Sequence, residues 1–162
     1  MGDLWFSTWA DDDTVFVSWG DGFGPNPGLH QQQRPPFLHH GLARLKGTFP
    51  HITAEVVQRF MPLSDGVNNS KPGSLLFYNK RLYVSIHSPL MSPDKGFIAY
   101  SEDSGKTFRY NLDTPWTKVK NSNFICRMFI NMGKGYNLNS DGYVYAFGMG
   151  SEVDWNGSVY LC

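Results

Sequence analysis

The chain is poor in charge, in cysteine and in long apolar runs, and each shortage removes a class of protein. Only 17% of its 162 residues are Asp, Glu, Lys or Arg, and 14 acids balance 14 Lys and Arg. Nucleic-acid affinity rests on counterion release by a basic surface, and without a Lys/Arg cluster nucleic acid is not an expected partner. No apolar run reaches the ~18 residues of a membrane-crossing helix, so no membrane span is expected. The two cysteines, Cys126 and Cys162, fall in apolar, strand-like contexts and read as buried thiols rather than a disulfide framework. Met1-Gly2-Asp3-Leu4-Trp5-Phe6 contains neither a basic n-region nor an apolar h-region, so no signal peptide is visible, and Phe6 breaks the myristoylation pattern. There is no nucleophile elbow, phosphate-binding loop or dinucleotide fingerprint. Adjacent His39 and His40 lack the spacing of a helical zinc pair and no cysteine cluster accompanies them, so neither a metal nor a cofactor is expected.

What the chain does have is 15% aromatic residues, 17 Gly and 10 Pro, a folded and strand-rich composition. Ser101-Glu102-Asp103-Ser104-Gly105-Lys106-Thr107-Phe108 matches the pattern Ser-x-Asp-x-Gly-x-Thr-aromatic known as an Asp-box. The aspartate can accept backbone N–H groups of the turn and Gly105 can take a positive φ. This segment resembles the turn between the outer strands of a β-propeller blade.

A short apolar strand, a polar turn and an aromatic, β-branched strand recur three times. Leu4 to Trp9 leads to Val15-Phe16-Val17-Ser18-Trp19, Ser74 to Tyr78 leads to Leu82-Tyr83-Val84-Ser85-Ile86, and Cys126 to Ile130 leads to Tyr143-Val144-Tyr145-Ala146-Phe147. Third strands are placed at Gly41 to Gly47, Gly96 to Ser101 and Ser158 to Cys162, and a fourth near Thr107 to Tyr110. His51 to Phe60 is the one helix candidate; flanking Pro50 and Pro62 and the Val56-Val57 pair argue for connection instead. The expected fold is therefore all-β, a β-propeller of four-stranded antiparallel blades forming a single domain, with approximate blades at 1–50, 70–112 and 124–162. About two and a half to three blades of five or more would be present, which leads us to expect a portion of a longer protein with open blade edges available for self-association, and a site that is incomplete, and so inactive, in this portion alone.

Asp3-Leu4-Trp5, Thr8-Trp9-Ala10-Asp11-Asp12, Trp19-Gly20-Asp21-Gly22-Phe23-Gly24 and Phe129-Ile130-Asn131-Met132-Gly133-Lys134, followed by Asp141-Gly142-Tyr143-Val144-Tyr145, together resemble a propeller family long catalogued as a domain of unknown function. Some of its members are endo-D-arabinofuranases, glycoside hydrolases that cut the arabinan of mycobacterial cell walls. The resemblance implies a polysaccharide or glycan partner and a secreted or cell-surface parent protein.

Blade topology sorts the acids. The approach to a first strand and the exit of a second emerge at one end, so Asp3 and Asp21 share that end, whereas Asp11, Asp12, Asp13 and the Asp-box lie at the other. Glycoside hydrolysis needs one carboxyl to protonate the leaving oxygen and another as base or nucleophile. Asp3 and Asp21 are the candidate catalytic pair. The alternative is that Asp21 caps the Asp21-Gly22 turn and Asp3 is a solvated strand end. By the same geometry His87, Arg127 and Asp154 are candidates for contacting sugar hydroxyls, and Trp5, Trp19 and Phe23 for stacking on a sugar face or, alternatively, for packing within blades. A non-catalytic propeller that binds carbohydrate or protein is the competing reading.

Overall fold

The computed structural model describes residues 2–25, 37–58, 70–87, 96–111, 126–149 and 159–161, and Asp154 lies outside them. The described chain is all-β and antiparallel. The first sheet runs β1 (Asp3–Trp9), β2 (Val15–Gly22), β3 (Leu38–Thr48) and β4 (His51–Gln58) in order. The second runs β5 (Lys71–Tyr78), β6 (Arg81–His87), β7 (Phe97–Ser101) and β8 (Arg109–Tyr110), also in order. The third has β10 (Ala146–Met149) between β9 (Cys126–Phe129) and β11 (Val159–Leu161).

Two expectations are corrected. His51 to Gln58 is neither helix nor connection but the fourth strand of the first sheet, pairing Thr48 with His51 through Leu42 with Gln58. Its β-branched Ile52, Thr53, Val56 and Val57 favour a pleated surface, and an Arg44–Glu55 ion pair of 2.7 Å ties directly opposed residues. The second strand of the third unit begins at Ala146, not Tyr143. Asp141 accepts the Tyr143 amide at 3.0 Å and the Tyr145 hydroxyl at 2.6 Å, and this local bonding competes with the ladder.

The main core lies between the first two sheets. Alternation along β2 and β3 puts Phe16 and Leu42 on the face turned to Leu75, Phe77, Leu82, Val84, Ile86, Phe97 and Ala99, with Phe16 stacked on Phe77 at 6.2 Å. The first strands sit side by side: β1 lies against β5, and β5 against β9. Flanked on both sides, β5 buries every residue from Lys71 to Phe77. A polar knot fastens these strands. Thr8 Oγ1 donates to Asn131 Oδ1 at 2.6 Å and accepts the Phe77 amide at 2.8 Å, while Asn131 Nδ2 donates to Leu75 O at 3.1 Å and Ser7 O at 3.3 Å.

The turn from Ser101 to Thr107 is organised by its own side chains. Ser101 Oγ accepts the Gly105 amide at 2.8 Å, and Asp103 accepts the Thr107 amide at 2.8 Å and hydroxyl at 2.6 Å. Those bonds, from the hydroxyl first, pull the Asp103 carboxyl down to about 2. Gly105, at φ 87°, abuts the first sheet, where an added β-carbon would come within 2.6 Å of Leu42 Cδ2. The turn thus contributes to packing between sheets.

Candidate functional site

The start of β1, the end of β2, the start of β3 and the start of β5 meet at one end of the sheets. Asp3 opens β1 opposite Gly20, and its Oδ1 lies over that glycine, 2.9 Å from where a β-carbon would stand. Asp21 is inside the end of β2 rather than after it. Here the backbone departs from ordinary strand geometry, with Leu4 at φ 51° and Asp21 at φ 42°. Non-glycine residues in this region carry strain of ~1–3 kcal/mol, which persists only where surrounding structure enforces it and often marks functional sites.

Asp21 Oδ1 holds two groups. The Lys71 ammonium donates to it, and His39 Nδ1 lies 2.9 Å away. The Lys71 side chain is only 7% exposed, against 40% for Asp21 and 31% for His39, so the ion pair is sheltered on its cationic side. Burial alone would raise the Asp21 carboxyl, but hydrogen bonds and charge from Lys71 and His39 outweigh it and hold Asp21 below the usual carboxylate range. The carboxylate is thereby kept ionised, and among the described residues its Oδ2 takes no hydrogen bond.

Behind this surface stand more basic groups. His40 pairs with Gly20, is fully buried, and has no hydrogen-bond partner for either ring nitrogen among the described residues. Burial, reinforced by nearby His87 and Lys71, lowers it to about 3 and keeps it neutral. His87, opposite Lys71, is buried, and Arg127 is buried with Nη2 donating to Gly96 O at 3.0 Å. Burial lowers the Arg127 guanidinium to about 10, with Cys126 opposing the shift.

Among the aromatics, Trp5 is 41% exposed and stacks on Trp19 at 6.1 Å. Trp19 is completely buried, its Nε1 donating to Gly22 O at 3.3 Å. Its ring lies so close to Gly41 that a β-carbon there would come within 2.2 Å. Packing therefore takes up the Trp19 faces. Phe23 meets Phe37 edge-on at 5.8 Å, and Phe37 in turn meets the His39 ring at 5.5 Å.

At the far end, Asp12 Oδ1 accepts the Thr14 amide at 3.0 Å and Asp13 pairs with Lys134 at 2.7 Å, structural uses in keeping with their expected place. Among the described residues no group of three His, Cys, Asp or Glu is arranged to hold a metal ion.

Sequence reasoning missed Lys71, His39 and Phe37 as members of this cluster. The topology rule that selected Asp3 applies equally to Lys71, at the approach to the first strand of the second sheet. A third strand also starts where a second one ends, which brings His39 beside Asp21. Strand alternation then sends His39 outward and His40 into the core. The chain matches no protein-family model and no curated protein sequence.

Proposed function

We propose that the three sheets are blades of a β-propeller, about two and a half to three of five or more, and that the chain is part of a glycoside hydrolase-like protein acting on a polysaccharide. Three features support the blades: outward strand order, adjacent first strands, and an Asp-box turn at the outer strands of the second sheet. The hydrolytic reading rests above all on one observation, an ionised Asp21 whose Oδ1 is gripped by Lys71 and His39 on a strained backbone. A carboxylate so held stays ionised and is unsuited to donate a proton, which leaves it the base or nucleophile of the pair rather than the acid. Asp3, at the same end, supplies the acid. His87 and Arg127 lie behind the surface as structural support, and Trp5 provides an exposed aromatic face.

That exposed ring also favours a second reading, a non-catalytic propeller that binds carbohydrate or protein. One experiment separates the two. The parent protein that carries this chain, as wild type and with Asp21→Asn or Trp5→Ala, is incubated with mycobacterial D-arabinan, following both reducing-sugar release and binding. Hydrolysis that falls by ~100-fold or more in Asp21→Asn, with binding retained, supports the enzyme. Binding without any sugar release, lost in Trp5→Ala, sinks the hydrolytic reading and leaves the binding one.

A further inference from the structure

The hydrogen bonding at Asp21 determines the tautomer of His39. An ionised carboxylate only accepts hydrogen bonds, so the 2.9 Å contact requires His39 Nδ1 to carry the proton. A bare Nδ1 lone pair at that distance would face the oxygen's own lone pairs. Lys71 Nζ also approaches Nδ1, at 3.4 Å, but Nδ1 has no lone pair left to accept from it. With Nδ1–H committed to Asp21, the ring's basic atom is Nε2, which has no hydrogen-bond partner among the described residues. The ring is braced by the edge-on Phe37 contact and remains 31% exposed. A carboxylate fixing an imidazole through Nδ1, with Nε2 left basic, is the arrangement by which hydrolases orient a general base and stabilise the imidazolium that forms.

We propose that His39 is the proton-accepting residue of this site, with Asp21 acting through it rather than bonding to the sugar. This rests on the hydrolytic reading and sharpens it. Water attacks the anomeric carbon, and as that carbon–oxygen bond forms, a water proton passes to His39 Nε2. The glycosidic carbon–oxygen bond breaks, and the leaving oxygen takes the proton of the Asp3 carboxyl. Asp21 stays ionised throughout and faces the imidazolium. A single displacement of this kind inverts the anomeric centre. Afterwards the imidazolium returns its proton to solvent and Asp3 regains one.

The test combines nuclear magnetic resonance with activity, both on the parent protein that carries this chain. Ring nitrogen shifts of His39 at neutral pH are expected to show the Nδ1–H tautomer, shifting toward Nε2–H in Asp21→Asn; a wild-type Nε2–H ring overturns the proposal whatever the activity. His39→Asn preserves a donor near the Nδ1 position but has no basic atom, so it separates support of Asp21 from proton transfer. On D-arabinan, His39→Asn is expected to fall by ~100-fold or more, as is usual when a general base is lost. A rate within ~3-fold of wild type in His39→Asn, alongside an inactive Asp21→Asn, overturns the role of His39 and leaves the hydrolytic reading standing. So does a retained anomeric configuration or a glycosyl ester trapped on Asp21. If the wild-type parent protein releases no sugar, the hydrolytic reading itself fails and His39's role falls with it; sugar release that persists undiminished in Asp21→Asn overturns the roles of Asp21 and His39 and leaves the hydrolytic reading standing.

Discussion

His40 shows how a single residue ties folding to acidity in this chain. Its ring is fully buried and lowered to about 3, whereas an unfolded histidine titrates near 6.5. Between those values the unfolded chain binds a proton that the folded chain refuses, so stability is full above pH 6.5 and declines as pH falls below it. The slope from such a group is ~1.4 kcal/mol per pH unit. Thermal melts between pH 7 and pH 4 are expected to show a steep fall that becomes shallower in His40→Leu, which has no imidazole at that position to titrate. An equally steep fall in the variant would assign the acid sensitivity to other groups. At Asp21 the direction is also one of acid sensitivity, because a carboxyl held below its usual range contributes stability that is present at neutral pH and lost as Lys71 and His39 lose their anionic partner.

Among the elements, the Ser101–Thr107 turn joins local bonding to packing. Gly105 is needed twice over, for its φ of 87° and for its approach to Leu42. Gly105→Ala is expected to destabilise the chain by ~1–3 kcal/mol in urea unfolding, combining backbone strain with overpacking. No loss would mean that Leu42 yields and the turn relaxes. Asp103, held at about 2 by Thr107, contributes stability present above pH ~4, its unfolded value, and lost as pH falls toward 2. Comparing melts of wild type and Asp103→Asn at pH 6 and pH 2.5 checks this: the difference is expected to be large at pH 6 and to shrink at pH 2.5. The strands rich in aromatic and β-branched residues, β2 and β6, fell where that composition and the preceding polar turns put them. Those that did not were governed by partners invisible to a local window: β4 by the β3 ladder, and the start of β10 by Asp141.

Over the whole molecule, Asn131 joins all three sheets through the carbonyls of Ser7 and Leu75 and the hydroxyl of Thr8. Removing it leaves buried Thr8 with a poorer partner and frees the meeting of the first strands. Asn131→Ala is expected to cost ~1–3 kcal/mol. Amide exchange should accelerate in β1, β5 and β9 together, since the bonds span those strands. Faster exchange in β9 alone would show that the third sheet docks independently. The second sheet has the strongest claim to stability, because β5 is flanked by β1 and β9 and carries the most continuous burial.

The amino-acid sequence by itself determined the all-β class, the three strand-turn-strand units and the end on which Asp3 and Asp21 emerge, because β-branched and aromatic runs, polar turns and the reversal of direction at each turn are local properties. It also marked the Ser101–Thr107 turn, whose hydrogen bonds all come from within a few residues. What only the tertiary structure decided is the company Asp21 keeps. Lys71 lies 50 positions along the chain and reaches Asp21 only because β5 packs beside β1 and β2. His39 reaches it only because β3 returns antiparallel to β2, and the same pairing buries His40 and walls in Trp19. Charge state and exposure depend on neighbours brought from afar, so the sequence could nominate the carboxylate but not show that it is held ionised between a lysine and a histidine.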